Sequence, residues 1–370
     1  MNTTFGAESS FAKKLSICSE LRQKLVDGTI GAGAKLPSEY QLSRNFGVSR
    51  STVVRALSQL RDEGLIQSKR GSGHFAAENL HSANRHLFGL LSELTVETDA
   101  DCQLVQFQLN LSLQLQADRK GLIAYSTGIS DGCAIEAAES LISQGIKGAL
   151  FVPMELQPPQ DSINQKIIDT FRRAGVFVVL VDRDIVSPPL RSTYDLVTPD
   201  HRAMGYLATQ HVIQRGAKRI AFIGNSAQAP GVLDRHLGFR EAHAHRGMNA
   251  EPALAWMPDN HEFSADWVAE MFRKHKPDAI VCKSDKFART AMIGLQSLGL
   301  KLPEDCLLMG IGGENFSASL TPSLSTVDTC MNALAVSAKN ILLRRLEDPS
   351  ISPIHVTTNS QLVVRQSTGC

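Results

Sequence analysis

No apolar run in these 370 residues approaches the ~18 that a membrane span requires, so no membrane partner is expected. The opening stretch MNTTFGAESSFAKKL lacks the apolar centre of a secretory leader. The seven cysteines (Cys18, Cys102, Cys133, Cys282, Cys306, Cys330 and Cys370) are scattered, odd in number and nowhere spaced C-x-x-C. That usage argues against a disulfide framework or a thiolate metal site and predicts reduced thiols in a cytoplasmic protein. Neither HExxH nor a nucleophile elbow surrounds any of His211, His243, His245 or His261, and His243 and His245, two apart, point away from each other on a helix. No catalytic residue, metal or cofactor is expected.

A large charge of one sign is also missing: the net charge is +1. It is unevenly spread, however. Up to Ala77 there are 11 Lys and Arg against 6 Asp and Glu, and the remainder carries 27 against 31. A small basic head on a mildly acidic body suits a nucleic-acid contact at one end. Length predicts two or three domains, and 43% apolar residues suffice for sizeable cores.

The head has the punctuation of three helices. Ile17, Leu21 and Leu25 recur at i, i+4, i+8 with Cys18 beside them. Pro37 closes the next loop, and Ser38 with Gln41 three residues on forms a capping-box signature. Gly47 makes the turn into a third helix that opens at Ser49 and turns Val53, Leu57 and Leu60 inward. Two short helices joined by a glycine turn, the second opening on polar and basic residues, predict a helix-turn-helix. Hydroxyls and first-turn N–H groups at Ser49, Arg50, Ser51 and Thr52 suit phosphate oxygens, and Arg50 can fork onto guanine. GLIQSKRGSGHF then reads as strand, basic glycine turn and strand: a wing whose tip can approach the sugar-phosphate backbone.

The stretch AKLPSEYQLSRNFGVSRSTVVRALSQLRDEGLIQSKRGSGHF resembles the DNA-binding head of the gluconate-repressor (GntR) family in its LPSE, GVSR-x-TV, AL-x-x-L, GLI and G-x-G elements. The resemblance implies contacts to double-stranded operator DNA from Ser38, Tyr40, Ser49, Arg50, Ser51, Thr52 and Arg55, with Lys69, Arg70 and Gly71 at the wing. Tyr40 stands where many members carry an arginine, and Arg55 lies one place later than in some; both departures bear on which operator is read.

Past the wing, AAENLHSANRH reads as a linker, giving a winged helix-turn-helix over 10–76, a linker over 77–86 and a body over 87–370. In the body, β-like runs (HLFGLLS, GLIAYS, GALFVP, VFVVLVD, RIAFIG, DAIVC, CLLMGIG) alternate with helical stretches, which predicts an α/β fold of parallel sheets covered on both faces. The body's length exceeds one doubly wound unit, so two lobes with a cleft between them are expected. One segment conflicts: Phe107, Leu109, Leu111, Leu113 and Leu115 alternate strictly, as in a strand.

The body resembles the effector domain of the lactose/galactose-repressor (LacI) family and its periplasmic-binding relatives, through GVFVVLVDRDI, DHRAMGYLATQHVIQRGAKRIAFIG, DRHLGFREA, IVCKSD, LTPSLSTVD and LVVRQSTG. That family has a helix at 107–115, which is the expectation adopted, and crosses between lobes three times, here near Val197, Asp328 and Ser350. The four-helix DNA head usual there is absent. A gluconate-type head on a lactose-type body is the layout of arabinose-repressor-like regulators, and the chain looks like one.

Ligands in such sheets sit beyond the carboxyl ends of the strands. Asp182 and Arg183 end one strand; Ser284 and Asp285 end another. The resemblance adds Arg235 as an effector-binding arginine and Phe263 as a stacking aromatic. Where family members commonly carry paired acids, this chain has Gly312-Gly313 and then Glu314-Asn315, which leaves Glu314 as a substitute anchor. The expectation is a homodimeric repressor released by a small molecule, first a sugar or sugar derivative. The alternatives are a body that only dimerises, and a co-repressed or activating regulator with a non-sugar effector.

Overall fold

The computed structural model describes residues 17–369, apart from 19, 23, 26–28, 63, 70–71, 78–86, 94–102, 129–130, 155–159, 187–188, 226–228 and 260, and the side chains of 62, 131, 160 and 161. The chain divides into two compact units, 1–86 and 87–370.

In the first unit, Ile17, Cys18, Leu21 and Leu25 are buried against Leu42, Val53, Leu57 and Leu60. Helix α1 (Glu39–Phe46) has the full capping box: the Ser38 hydroxyl accepts from Gln41 N–H while the Gln41 side chain accepts from Ser38 N–H. Gly47, at φ 58°, ends it in the left-handed region that glycine enters without a Cβ penalty. Helix α2 (Arg50–Asp62) follows, then strands β1 (Ile66–Lys69) and β2 (Gly73–Ala76), paired antiparallel as a wing. Residues 78–86 of the linker and the wing residues Arg70 and Gly71 lie outside the described residues, while Ala77 is buried in the core of the head.

The second unit holds two six-stranded sheets. The first lobe is built from β3 (Leu87–Ser92), β4 (Gly121–Ser126), β5 (Gly148–Phe151), β6 (Phe177–Val181), β7 (Asp195–Pro199) and β13 (His355–Thr358), all parallel, in the order β4-β3-β5-β6-β7-β13. The second contains β8 (Ile220–Ile223), β9 (Ala255–Trp256), β10 (Ala279–Cys282), β11 (Leu307–Gly312), β12 (Ser325–Asp328) and β14 (Gln361–Val363), in the order β9-β8-β10-β11-β12-β14, with only β14 antiparallel. Each strand order reverses once, beside β3 and beside β8. The carboxyl ends flanking such a reversal form a natural crevice.

Helices cover both sheets: α3 (Gln103–Ala117), α4 (Asp131–Ser143) and α5 (Gln160–Arg173) in the first lobe, and α6 (His201–Gln214), α7 (Pro230–His245), α8 (Ala265–His275) and α9 (Asp285–Ser297) in the second. Helix α10 (Met331–Glu347) returns to the first lobe, where Leu334, Ala335, Ala338 and Leu342 join Phe107, Leu111 and Leu115 in one core. The chain therefore changes lobe between β7 and α6, between β12 and α10, and between β13 and β14. The first two crossings fall near Val197 and Asp328. The third falls at 358–361 and not near Ser350, because the strand after α10 first completes the edge of the first sheet.

The alternating leucine segment is helix α3. Phe107, Leu111 and Leu115 form its buried i, i+4, i+8 stripe, while Leu109 and Leu113 face solvent at 54% and 55% exposure. The strand-like alternation comes from two apolar stripes on different faces of one helix.

Candidate DNA-reading head and ligand cleft

In the head, the first turn of α2 is stitched together by short polar side chains. The Ser49 hydroxyl lies 2.9 Å from both Ser51 Oγ and Thr52 Oγ1, and it accepts from Thr52 N–H at 3.3 Å. Arg50 extends outward with its side chain 79% exposed, and its Nε donates to Glu39 Oε2 at 2.7 Å. That contact, helped by His74, holds the Glu39 carboxyl below the usual range against the opposing effect of burial. Ser38, Tyr40, Ser51 and Arg55 are exposed in the same unit, and Lys69 on the wing packs its ammonium 5.1 Å from the Phe75 ring. Thr52 differs from expectation: it is 7% exposed and its hydroxyl is turned back onto Ser49. It organises the turn from within, and the exposed surface belongs to its neighbours.

In the body, a cavity of about 250 Å³ opens at the carboxyl ends of the strands, lined from both lobes. That is space for a small molecule. Asp182, just past β6, takes φ 70°, a left-handed value tolerated by Asp better than by most residues. Its main chain is pinned there: its N–H donates to Val197 O at 2.8 Å, and its carbonyl accepts from Thr198 Oγ1 at 2.6 Å. Arg183 folds back, with Nε and Nη2 at 3.1 and 3.0 Å from Asp182 Oδ2.

His201, the first residue of α6, connects the lobes. Its Nδ1 faces Arg235 Nη2 at 3.1 Å, and its Nε2 faces Asp182 O at 3.1 Å and Oδ1 at 3.5 Å. Arginine only donates, so Nδ1 accepts and the ring proton sits on Nε2, donated to Asp182. Arg235 Nη1 donates to Lys283 O at 2.5 Å. Burial alone would raise the Asp182 carboxyl, but Arg183, His201 and Arg235 together hold it well below the usual carboxylate range. Arg235 is placed by an unusually close helix pair: a Cβ on Gly205 of α6 would fall 1.9 Å from the Arg235 carbonyl oxygen, and one on Gly238 of α7 would fall 2.0 Å from Arg202 O.

The cavity brings together Asp182, Arg183, Arg235 and Ser284, and excludes three expected residues. Asp285 is fully buried and points beneath the cleft: Oδ1 accepts from Thr326 Oγ1 at 2.6 Å, and Oδ2 accepts from Gly313 N–H, Glu314 N–H and Ser317 Oγ at 3.0, 2.8 and 2.8 Å. Glu314, expected as a substitute anchor, is buried beside it and is not among the residues that line the cavity. Phe263 stacks at 4.0 Å on Phe287, and it is Phe287 that lines the cavity. No acid can stand at Gly313, which sits at φ 80° with Asp328 Cγ 2.6 Å from where a Cβ would be. Sequence reasoning passed over Gln103, His201, Lys283, Lys286 and Phe287. The stretch CKSDKF after β10 carried a signal in its two lysines flanking the helix start. Gln103 reaches from α3 to the Gly312 carbonyl and the Thr329 hydroxyl, bridging the lobes.

An exposed helix start beside a β wing, on a chain whose α/β body has a small cleft at its strand ends, defines a DNA-binding transcription regulator. Residues 13–75 match the bacterial regulatory proteins of the gntR family, and residues 209–368 match a periplasmic binding protein-like domain. The chain is a regulator with a GntR-type head and a LacI-like effector body. It is similar to the arabinose metabolism transcriptional repressor of Geobacillus stearothermophilus, 23% identical over 98% of this chain and 99% of that one. It is also 30% identical to the transcriptional repressor PurR of Aliivibrio fischeri over 42% of this chain and 47% of that protein. Among solved structures, a CelR–cellobiose complex aligns with TM-score 0.65 at 19% identity, covering 90% of this chain and all of that one. CcpA of Lactococcus lactis aligns at 0.64 and 17%, over 77% of this chain and 99% of that one. Among the described residues, no helix is long and apolar enough to cross a membrane.

Proposed function

We propose that the protein is a cytoplasmic, homodimeric, non-enzymatic repressor that leaves its operator when a small molecule, a sugar or sugar derivative, fills the cleft. The observation that carries this reading is the 250 Å³ cavity at the strand ends of a chain that also bears a DNA-reading head. Release follows from linkage: a ligand that favours the form with weaker DNA affinity is itself bound more weakly by the DNA-bound form, by the same factor. The name of the arabinose repressor relatives supports a sugar-derived effector. The dimer reading is supported by Leu109 and Leu113 exposed on α3, which packs beside edge strand β4 where Tyr125 is also exposed; a second copy of this chain is the occupant assigned to that face. Both ring nitrogens of His201 are engaged by Asp182 and Arg235, so the cleft's histidine has no nitrogen left to act as a base.

The test selects operator duplexes from a random pool, then screens metabolites for release of the selected duplex. Release by a compound that also raises the melting temperature of the unbound protein is expected. Duplex binding indifferent to every compound that stabilises the protein would leave only a constitutive DNA-binding dimer.

A further inference from the structure

The described residues lining the cleft carry four cations, Arg183, Arg235, Lys283 and Lys286, against the single carboxylate of Asp182. The chain as a whole is nearly neutral, with 38 basic and 37 acidic residues, so this excess is local. Arg183 is matched by Asp182 at 3.0 Å. Arg235 spends its terminal nitrogens on the Lys283 carbonyl and His201, neither of which carries a compensating negative charge, and its buried Nε has no partner. Burial and Arg183 pull its pKa down while Asp182 and Asp285 oppose them, and arginine nevertheless stays protonated. Lys283 holds its ammonium 4.3 Å from the Phe287 ring. Lys286 has no acidic side chain within ion-pair distance among the described residues. Two backbone features add to this. The 16-residue helix α7 begins at the cavity wall with Ala229 as its N-cap, so no side chain caps its first N–H groups. Asp285, buried beneath the cavity, has its oxygens bonded to Gly313, Glu314, Ser317 and Thr326.

We infer that the cleft takes an anionic effector, a small sugar-derived molecule bearing a phosphate or carboxylate, with the anion held by Arg235, Lys283 and Lys286 and the hydroxyls read by Asp182. The inference rests on the small-molecule reading of the cleft and narrows it. A neutral sugar would leave Arg235 and Lys286 without a negative counterpart, whereas an anion meets them with charge-assisted hydrogen bonds. The Phe287 ring supplies the apolar face against which a sugar ring can lie, and 250 Å³ has room for a monosaccharide with one charged group.

The full chain is melted in the presence of ribose 5-phosphate, glucose 6-phosphate, gluconate and inorganic phosphate, and in ribose, glucose and arabinose. At least one of the organic anions raises the melting temperature in a saturable way, and the neutral sugars do not. Phosphate esters acting alone assign the site to phosphate; gluconate acting alone assigns it to carboxylate. Lys286→Gln weakens the active anion about tenfold or more, the loss expected for one hydrogen bond to a charged group, and Lys286→Glu weakens it further. Lys286 is half-buried at a helix start with no acidic partner among the described residues, so both variants keep the unliganded melting temperature. Stabilisation by a neutral sugar with none from the organic anions overturns the inference and leaves the small-molecule cleft standing. Inorganic phosphate matching the organic anions, or an anion effect untouched by Lys286→Glu, overturns it as well. No stabilisation by any compound overturns both readings.

Discussion

The carboxylate of Glu39, in the first turn of α1, accepts a 2.7 Å hydrogen bond from Nε of Arg50, the first residue of α2. The contact crosses the turn of the helix-turn-helix through Nε and leaves the Arg50 side chain 79% exposed, and a guanidinium fork can pair with guanine O6 and N7. Arg50→Ala is therefore expected to cost about 1–3 kcal/mol of operator binding and to relax specificity. Glu39→Gln weakens the restraint on this exposed side chain and the 3.5 Å contact of Glu39 with His74, and should cost less than about 1 kcal/mol. Fluorescence anisotropy on matched and single-mismatch duplexes separates the two. Equal losses from both substitutions would mean that Arg50 does not touch a base.

Asp285 gathers four donors from β12 and the chain after β11. Burial pushes its carboxyl upward in spite of them. An asparagine can keep the oxygen that accepts three of these bonds and present its amide to Thr326 Oγ1, which can accept. Asp285→Asn should therefore cost no more than about 1.5 kcal/mol, and Asp285→Ala, which takes the acceptor from all four donors and leaves only Gly313 N–H a second one in Thr326 Oγ1, at least about 3 kcal/mol by chemical denaturation. Similar losses for the two would show that the network is not what Asp285 supplies.

Gly238 presents the opposite balance. Glycine to alanine inside a helix ordinarily gains about 1 kcal/mol. Here the new methyl would meet the Arg202 carbonyl at 2.0 Å, and backbone cannot step aside as a side chain can. Gly238→Ala should destabilise the chain by about 1–3 kcal/mol or more. A melting temperature at or above that of the unsubstituted chain would refute the close helix pair.

Leu109→Glu with Leu113→Glu replaces two exposed apolar side chains on α3 and leaves the buried stripe of Phe107, Leu111 and Leu115 intact. Sedimentation should shift from dimer to monomer with little change in the unfolding midpoint. A dimer that persists at micromolar concentration would place the interface elsewhere.

The depressed Asp182 carboxyl gives a signed pH dependence. A carboxyl held low in the folded state contributes stability that is complete above its unfolded value, near 3.8, and is lost as pH falls through the folded value. The wild-type advantage over Asp182→Asn should hold between pH 5 and 7 and shrink below about pH 4. An advantage that grew on acidification would mean the carboxyl is not stabilised as an anion.

Much of the head was legible because its signals are local. Ser38, Gln41 and Gly47 act through backbone within four residues of themselves, and Val53, Leu57 and Leu60 repeat at helical spacing. Thr52 misled because a hydroxyl in a first turn looks the same in sequence whether it faces DNA or Ser49. The sheets were readable from their apolar runs; α3 was not, since two leucine stripes on one helix imitate a strand. The cleft was half legible. Asp182 and Ser284 follow directly from strand ends, whereas His201 and Gln103 enter from other elements through lobe crossings that no local pattern encodes. Asp285 reads like a ligand in sequence, and only the fold around Gly313 shows it turned under the sheet.

The central claim is that cleft and DNA oppose each other. A compound found to stabilise the free protein is titrated by calorimetry into the protein alone and into its complex with the selected operator. The account predicts weaker binding to the complex, by about 5–150-fold, the usual range of allosteric coupling, with operator affinity falling by the same factor when the compound saturates. Equal affinity in the two titrations, or tighter binding to the complex, would contradict it.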